Sequence, residues 1–90
     1  MVTKKITGKI KVIIADDHPL FRRGLKHAFA ETPDIEVVDE VETGEELLKK
    51  VQGMDLNLAL LDISLPGKGG LEILKELRED RPKLPVLMLT

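Results

Sequence analysis

Cysteine is absent from these 90 residues, which excludes a disulfide framework and any thiolate metal site. Tryptophan and tyrosine are absent as well, and phenylalanine occurs only at Phe21 and Phe29. No run approaches the ~18 apolar residues that a membrane span requires. No apolar stretch of signal-peptide length follows the short basic opening MVTKKITG, so the default address is the cytoplasm. Neither sign of charge dominates. Fourteen Lys and Arg stand against sixteen Asp and Glu, a formal net charge of −2, which predicts neither a nucleic-acid nor a membrane surface. What is present is ordinary for a folded domain: 42% hydrophobic residues argue against disorder. The length suits one small domain with a marginal core.

Apolar runs and turn residues alternate along the chain. Ile10, Val12, Ile13, Ile14 and Ala15 form a continuous apolar run ending in Asp16-Asp17, as expected of a strand buried on both faces of a parallel sheet. Pro19 suits the first position of a helix, and Leu20, Phe21, Gly24, Leu25, Ala28 and Phe29 share one of its faces. Ile35 to Val41 reads as a second strand. Thr43-Gly44-Glu45-Glu46 has the form of a capping box, in which Thr43 caps the N–H of Glu46 and Glu46 reaches back. Leu47, Leu48 and Val51 give a short amphipathic helix that stops near Gly53. Leu56 to Leu61 is a third strand, closed by Asp62, and residues 62–70, with one Pro and three Gly, are loop. Leu71, Leu74 and Leu77, with Ile73 beside them, define a third helix ended by Arg81-Pro82. Pro85 introduces a fourth strand, Val86 to Leu89. The order β-α-β-α-β-α-β predicts one α/β domain with parallel pairing.

In a doubly wound sheet the C-terminal ends of all strands share one edge, where ligands bind. Asp16 and Asp17 end the first strand, Asp62 the third and Thr90 the fourth. One Asp after a strand is usually a turn former or a cap. Three acids and a hydroxyl at one edge are harder to explain that way. Their mutual repulsion calls for a counterion, and Mg2+, which prefers oxygen ligands, meets that need. An Asp oxygen is also a nucleophile toward phosphoryl groups, whose transfer depends mainly on positioning and charge neutralisation.

These residues resemble the receiver domains of two-component response regulators. The resemblance rests on Asp16-Asp17 after the first strand, Asp62 after the third, Leu65-Pro66 and Gly70 in the next loop, and Thr90 after the fourth. The wording from Ala15 to Leu25, ADDHPLFRRGL, is similar to the subgroup whose receivers precede a LuxR/NarL-type helix-turn-helix domain. Residues 9–90 are thereby expected to form an incomplete receiver domain behind a leader at 1–8. The fold implied is a flavodoxin-like doubly wound parallel sheet of strand order 2-1-3-4, with a fifth strand and two last helices missing. The family further implies that Asp62 takes a phosphoryl group from a sensor histidine kinase or a small phosphodonor. Asp17 would bind Mg2+ directly, Asp16 mostly through water, and the main-chain carbonyl of Ser64 would add a ligand. Thr90 would be the switch hydroxyl. Such a module assists its own phosphotransfer but is no enzyme on a separate substrate, and in the full-length protein it regulates transcription.

Other polar residues nearby read as structure. Lys68 reads as a solvated loop lysine. His18 belongs to the start of the helix, because Mg2+ prefers oxygen, and His27 is a surface residue. Arg22, Arg23 and Lys26 form a solvated helix face. Family receivers also carry a phosphoryl-contacting lysine and an aromatic switch residue in their last third. Here no basic residue follows Lys83 and no aromatic follows Phe29, and without an output domain this chain itself has no expected nucleic-acid or membrane contact. An open fourth strand would recruit other chains, so a homodimer or swapped oligomer is expected. A competing reading makes the chain a non-catalytic fragment that self-associates, its acids vestigial. A mononucleotide binder is disfavoured, because Asp16-Asp17-His18-Pro19 stands where a phosphate-cradling Gly-rich turn belongs.

Overall fold

Four β-branched residues in six make Ile10–Ala15 a better strand than helix, and it forms β1 of the computed structural model, which describes residues 9–67 and 69–89. There follow α1 (Pro19–Ala30), β2 (Ile35–Val41), α2 (Gly44–Lys50), β3 (Leu58–Asp62), α3 (Gly70–Asp80) and β4 (Val86–Leu89). The strands pair in parallel in the order β2-β1-β3-β4, the order the resemblance implied. The residues expected to be a leader, 1–8, lie outside the described residues, as do Lys68 and Thr90. Among the described residues no helix is long and apolar enough to cross a membrane.

Alternate residues of β1 feed two separate cores. Ile13 and Ala15 join Val41, Leu47, Val51, Ala59, Leu61, Ile73 and Leu77 under α2 and α3. Val12 and Ile14 join Leu60 on the other face, with Leu25 and Phe29 of α1 packed against them. Val12, Ile13, Ile14 and Ala15 are all at most 1% exposed, so β1 has no face in water, as its unbroken apolar run foretold. One irregularity marks the β1–β2 pairing: Val12 faces Val37 but Ile13 faces Asp39, so Val38 is skipped.

The helix faces depart from the periodic expectation. In α1 no residue is fully buried; Leu25 and Phe29 pack on the sheet, but Leu20 is 79% exposed and Phe21 47%. The reason is placement. α1 lies over β1 and β2, beside Ile35 and Val37, and the described residues put nothing over the same face of β4, where Leu87 is 53% exposed. In α3 the buried stripe is Gly70, Ile73 and Leu77, while Leu71 faces solvent. Strand β3 begins at Leu58 rather than Leu56. Before it, the Asn57 side chain accepts from the Lys11 N–H at 2.7 Å, standing in for a strand carbonyl, and Leu56 turns inward to the core.

The cap of α2 also differs in one detail. Thr43 Oγ1 accepts from the Glu46 N–H at 3.1 Å as expected, but Glu46 reaches back to the N–H of Glu42, also at 3.1 Å. At the opposite end of the molecule Arg81 Nη1 donates to the carbonyls of Val51 and Met54, at 2.9 and 2.7 Å, and so ties the turn after α2 to the end of α3. That turn includes Gly53 at φ +82°, a left-handed conformation that costs glycine little.

Candidate functional site

The register of the sheet decides which side chains meet. β1 and β3 are neighbours, with Ala15 opposite Leu61, so the residues that follow Ala15 emerge beside Asp62. Asp62 is in turn opposite Leu89, and the N–H of Ile63 donates to the Leu89 carbonyl at 2.9 Å. Asp16, Asp17 and Asp62, expected from the sequence to share one edge, do so. One carboxylate oxygen from each, together with a ring nitrogen of His18, falls in a group whose members all lie within 4.8 Å of one another. Asp16 is 1% exposed and Asp62 6%.

Local hydrogen bonds fix each acid. Asp16 Oδ1 accepts from the His18 main-chain N–H at 2.6 Å, a side-chain turn that ends β1 and opens α1. Asp62 Oδ1 accepts from both the N–H and the hydroxyl of Ser64, each at 2.9 Å. Other oxygens are left over. Asp16 Oδ2 and Asp17 Oδ1 are buried without a hydrogen-bond partner among the described residues. A buried carboxylate oxygen with no donor is costly; Asp17 Oδ1 has the His18 ring nitrogen at 3.1 Å, whereas Asp16 Oδ2 has no partner and stands beside two further acids. All the donors are hard oxygens apart from one imidazole. The set therefore fits a divalent cation of the Mg2+ type.

His18 is the residue that sequence reasoning placed too modestly. It does start α1, as the N-cap before Pro19. Its ring, however, turns back over the acids: Nδ1 lies 3.1 Å from Asp16 Oδ1, 3.1 Å from Asp17 Oδ1 and 3.4 Å from Asp62 Oδ2. The hydrogen bond to Asp16, then the charge of Asp17, hold the imidazole pKa above its ordinary value. The sequence signal was adjacency alone, and the direction of a side chain next to an acidic pair is not written in its spacing.

Arg22 was expected on a solvated face, and its side chain is only 14% exposed. Its Nη1 donates to the carbonyl of Asp16, and its Nε lies 3.2 Å from Glu40 Oε1, with Lys26 Nζ at 2.6 Å from the other oxygen of Glu40. The guanidinium thus joins the loop after β1 to the end of β2. A cleft of about 520 Å3 opens at the acids, lined by Asp16, His18, Asp62 and Ser64 together with the apolar Leu20, Phe21 and Leu89.

Comparison with known proteins agrees with this geometry. Residues 12–90 match the family described as the response regulator receiver domain. The chain is 36% identical over 81 residues to the response regulator GacA of Pseudomonas syringae pv. syringae, covering 90% of this chain and 38% of that protein. It is 43% identical over 68 residues to the nitrate/nitrite response regulator protein NarL of Escherichia coli, covering 76% of this chain and 32% of that one. It therefore spans only about a third of the length of these regulators. Among solved structures, the non-phosphorylated receiver domain of the stress response regulator RcsB from Escherichia coli superposes with a TM-score of 0.86 at 29% identity, over 92% of this chain and 66% of that one. The sheet order, the acids at its rim and a match over nearly the whole chain make it a member of the response regulator receiver domain family.

Proposed function

We propose that this chain is the phosphoacceptor module of a two-component system, and that Asp62 carries the phosphoryl group. One observation bears most of the weight. Three carboxylates converge at the rim of adjacent strands, and one oxygen of the buried Asp16 is left there without a partner, an arrangement with little structural purpose of its own. Asp17 and Asp62 would hold Mg2+ directly, Asp16 through water, and the main-chain carbonyl of Ser64 would complete the protein's share. Bound there, the cation would neutralise the three acids and the charge that builds on the transferred group.

The remaining work falls to the chain. The two donations from Ser64 fix the plane of the Asp62 carboxylate. One of its oxygens forms the new P–O bond as the donor's P–N bond breaks, and the electron pair leaves with the donor's imidazole. Thr90, one residue beyond the Leu89 that pairs with Asp62, would then meet a phosphoryl oxygen as the switch hydroxyl. The partner is a sensor histidine kinase, and the module acts by accepting a group rather than by turning over a separate substrate. Residues 9–90 constitute the receiver unit, residues 1–8 precede it as a leader, and transcription is regulated by the full-length protein in the cytoplasm.

The test is direct. Incubation with millimolar Mg2+ and acetyl phosphate or phosphoramidate should add the mass of one phosphate, and Asp62→Ala should remove that addition. Equal labelling of the variant, or no thermal stabilisation of the parent by Mg2+, would overturn the assignment.

Self-association is a second reading, favoured by the position of β4 at one edge of the described sheet and by the exposure of Leu87. Sedimentation at micromolar concentration should then detect dimers or larger species. A purely monomeric, cooperatively folded species would remove this reading and leave the phosphoacceptor assignment standing.

A further inference from the structure

We propose that His18 supplies a nitrogen ligand to the acidic rim and thereby shifts its choice of cation toward Mn2+ and Zn2+ over Mg2+. The inference rests on the reading that Asp16, Asp17 and Asp62 hold a divalent ion, and it goes beyond that reading in naming a donor and a selectivity.

The main-chain role of His18 does not require an imidazole. Its N–H donates to Asp16 Oδ1 at 2.6 Å, a bond any non-proline residue can make, and the N-cap uses no side-chain hydrogen bond. The ring nonetheless lies over the acids, with Nδ1 at 3.1, 3.1 and 3.4 Å from one oxygen of Asp16, Asp17 and Asp62. Those separations have a geometric meaning. In an octahedral shell with bonds of about 2.1 Å, neighbouring donors stand about 3.0 Å apart and opposite donors about 4.2 Å apart. The distances to Asp17 and Asp62 are close to neighbouring edges of such a shell, and the Asp16 carboxylate, which would act through water, lies in the same group within 4.8 Å. Asp16, which belongs to the same group of residues and is 1% exposed, also carries an oxygen, Oδ2, without a hydrogen-bond partner.

Donor chemistry then sets the preference. Carboxylate, carbonyl and water suit Mg2+, whereas imidazole suits the later first-row ions and zinc. A set in which an imidazole joins the Asp17 and Asp62 carboxylates is softer than an all-oxygen one. The 62% exposure of the His18 side chain also leaves it free to move the short distance that admits an ion.

Mn2+ provides a spectroscopic readout in the full chain. Electron paramagnetic resonance would report binding through loss of the free-ion signal, and spin-echo modulation of the bound ion would report a directly ligated nitrogen. The nitrogen modulation should be present in the parent and in His27→Ala and absent in His18→Ala. Calorimetry should show the affinity for Zn2+ falling at least about tenfold in His18→Ala, the lower end of what even an outer-shell loss costs a metal site. The affinity for Mg2+, an oxygen-seeking ion, should stay within about twofold. Bound Mn2+ without nitrogen modulation in the parent, or modulation that persists in His18→Ala, would overturn the role of His18 and leave the acidic site intact. Failure of both Mn2+ and Mg2+ to bind the parent would overturn the cation site itself, and the inference with it.

Discussion

Ile73→Ala is expected to lower the free energy of unfolding by about 2–5 kcal/mol, the range for truncating a fully buried branched side chain. Ile73 has no exposed surface and sits in the larger core with Leu47, Leu61 and Leu77, where α2 and α3 meet over the sheet. Little can collapse into the space it would vacate. Its Cδ1 and Cγ1 lie against the backbone of Gly44, so closely that a methyl group added there would overlap them, and α2 is already as near as its main chain allows. A 90-residue domain holds roughly 5–14 kcal/mol in all, so this one change removes a large share. In urea the midpoint should fall by about 0.7 M or more, given a slope of about 1–3 kcal/mol per molar. A loss below about 1 kcal/mol would mean that the helices close the gap after all.

Gly70→Ala is expected to damage stability and site together. A methyl group at Gly70 would stand 2.6 Å from Ile63 Cα and 2.9 Å from its carbonyl oxygen. These are backbone atoms, and they cannot rotate aside. Gly70 also donates its N–H to that same carbonyl at 3.2 Å, which closes the loop after β3. Relief therefore requires moving Ile63, the residue directly after Asp62. The stability cost should be about 1–3 kcal/mol, as for other overpacking changes, read as a drop in melting temperature. Because Ser64 fixes the Asp62 carboxylate from within the same loop, the affinity for Mg2+ should weaken in parallel. A variant that loses stability but binds Mg2+ as the parent does would show that the loop accommodates the methyl group without displacing the acid.

The sequence was most informative where a whole strand or cap obeyed one rule. The apolar run at 10–15, the strand at 35–41 and the Thr43 cap all appear where their chemistry puts them. Asp16, Asp17 and Asp62 could be brought together on paper because strand ends in a parallel sheet share an edge, and the register does bring them there. Periodicity was less reliable for the helices. It grouped Leu20 and Phe21 with Leu25 and Phe29, but which residues of a stripe become buried depends on where the helix crosses the sheet. In α3 the three leucines drew the eye, whereas burial follows Ile73 and Leu77 with Gly70, where the closest backbone approach occurs. Arg22 and His18 were hidden for a related reason. Each acts through the direction of a long or planar side chain, toward the Asp16 carbonyl in one case and over three carboxylates in the other, and neither direction has a signature in residue spacing.

The adjacency of β1 and β3 divides the chain into two parts. Everything up to α2 supplies the pair β2-β1, everything from β3 onward supplies β3-β4, and the two pairs meet along a single ladder from Val12–Leu58 to Ala15–Leu61. Asp16 and Asp17 belong to the first part and Asp62 to the second, at the end of that ladder. An ion held between Asp17 and Asp62, with Asp16 reaching it through water, would rivet the halves where they join, so its binding energy would oppose their separation before anything else. Slowed hydrogen exchange would accordingly concentrate in the amides of the two central strands rather than spread evenly through the protein.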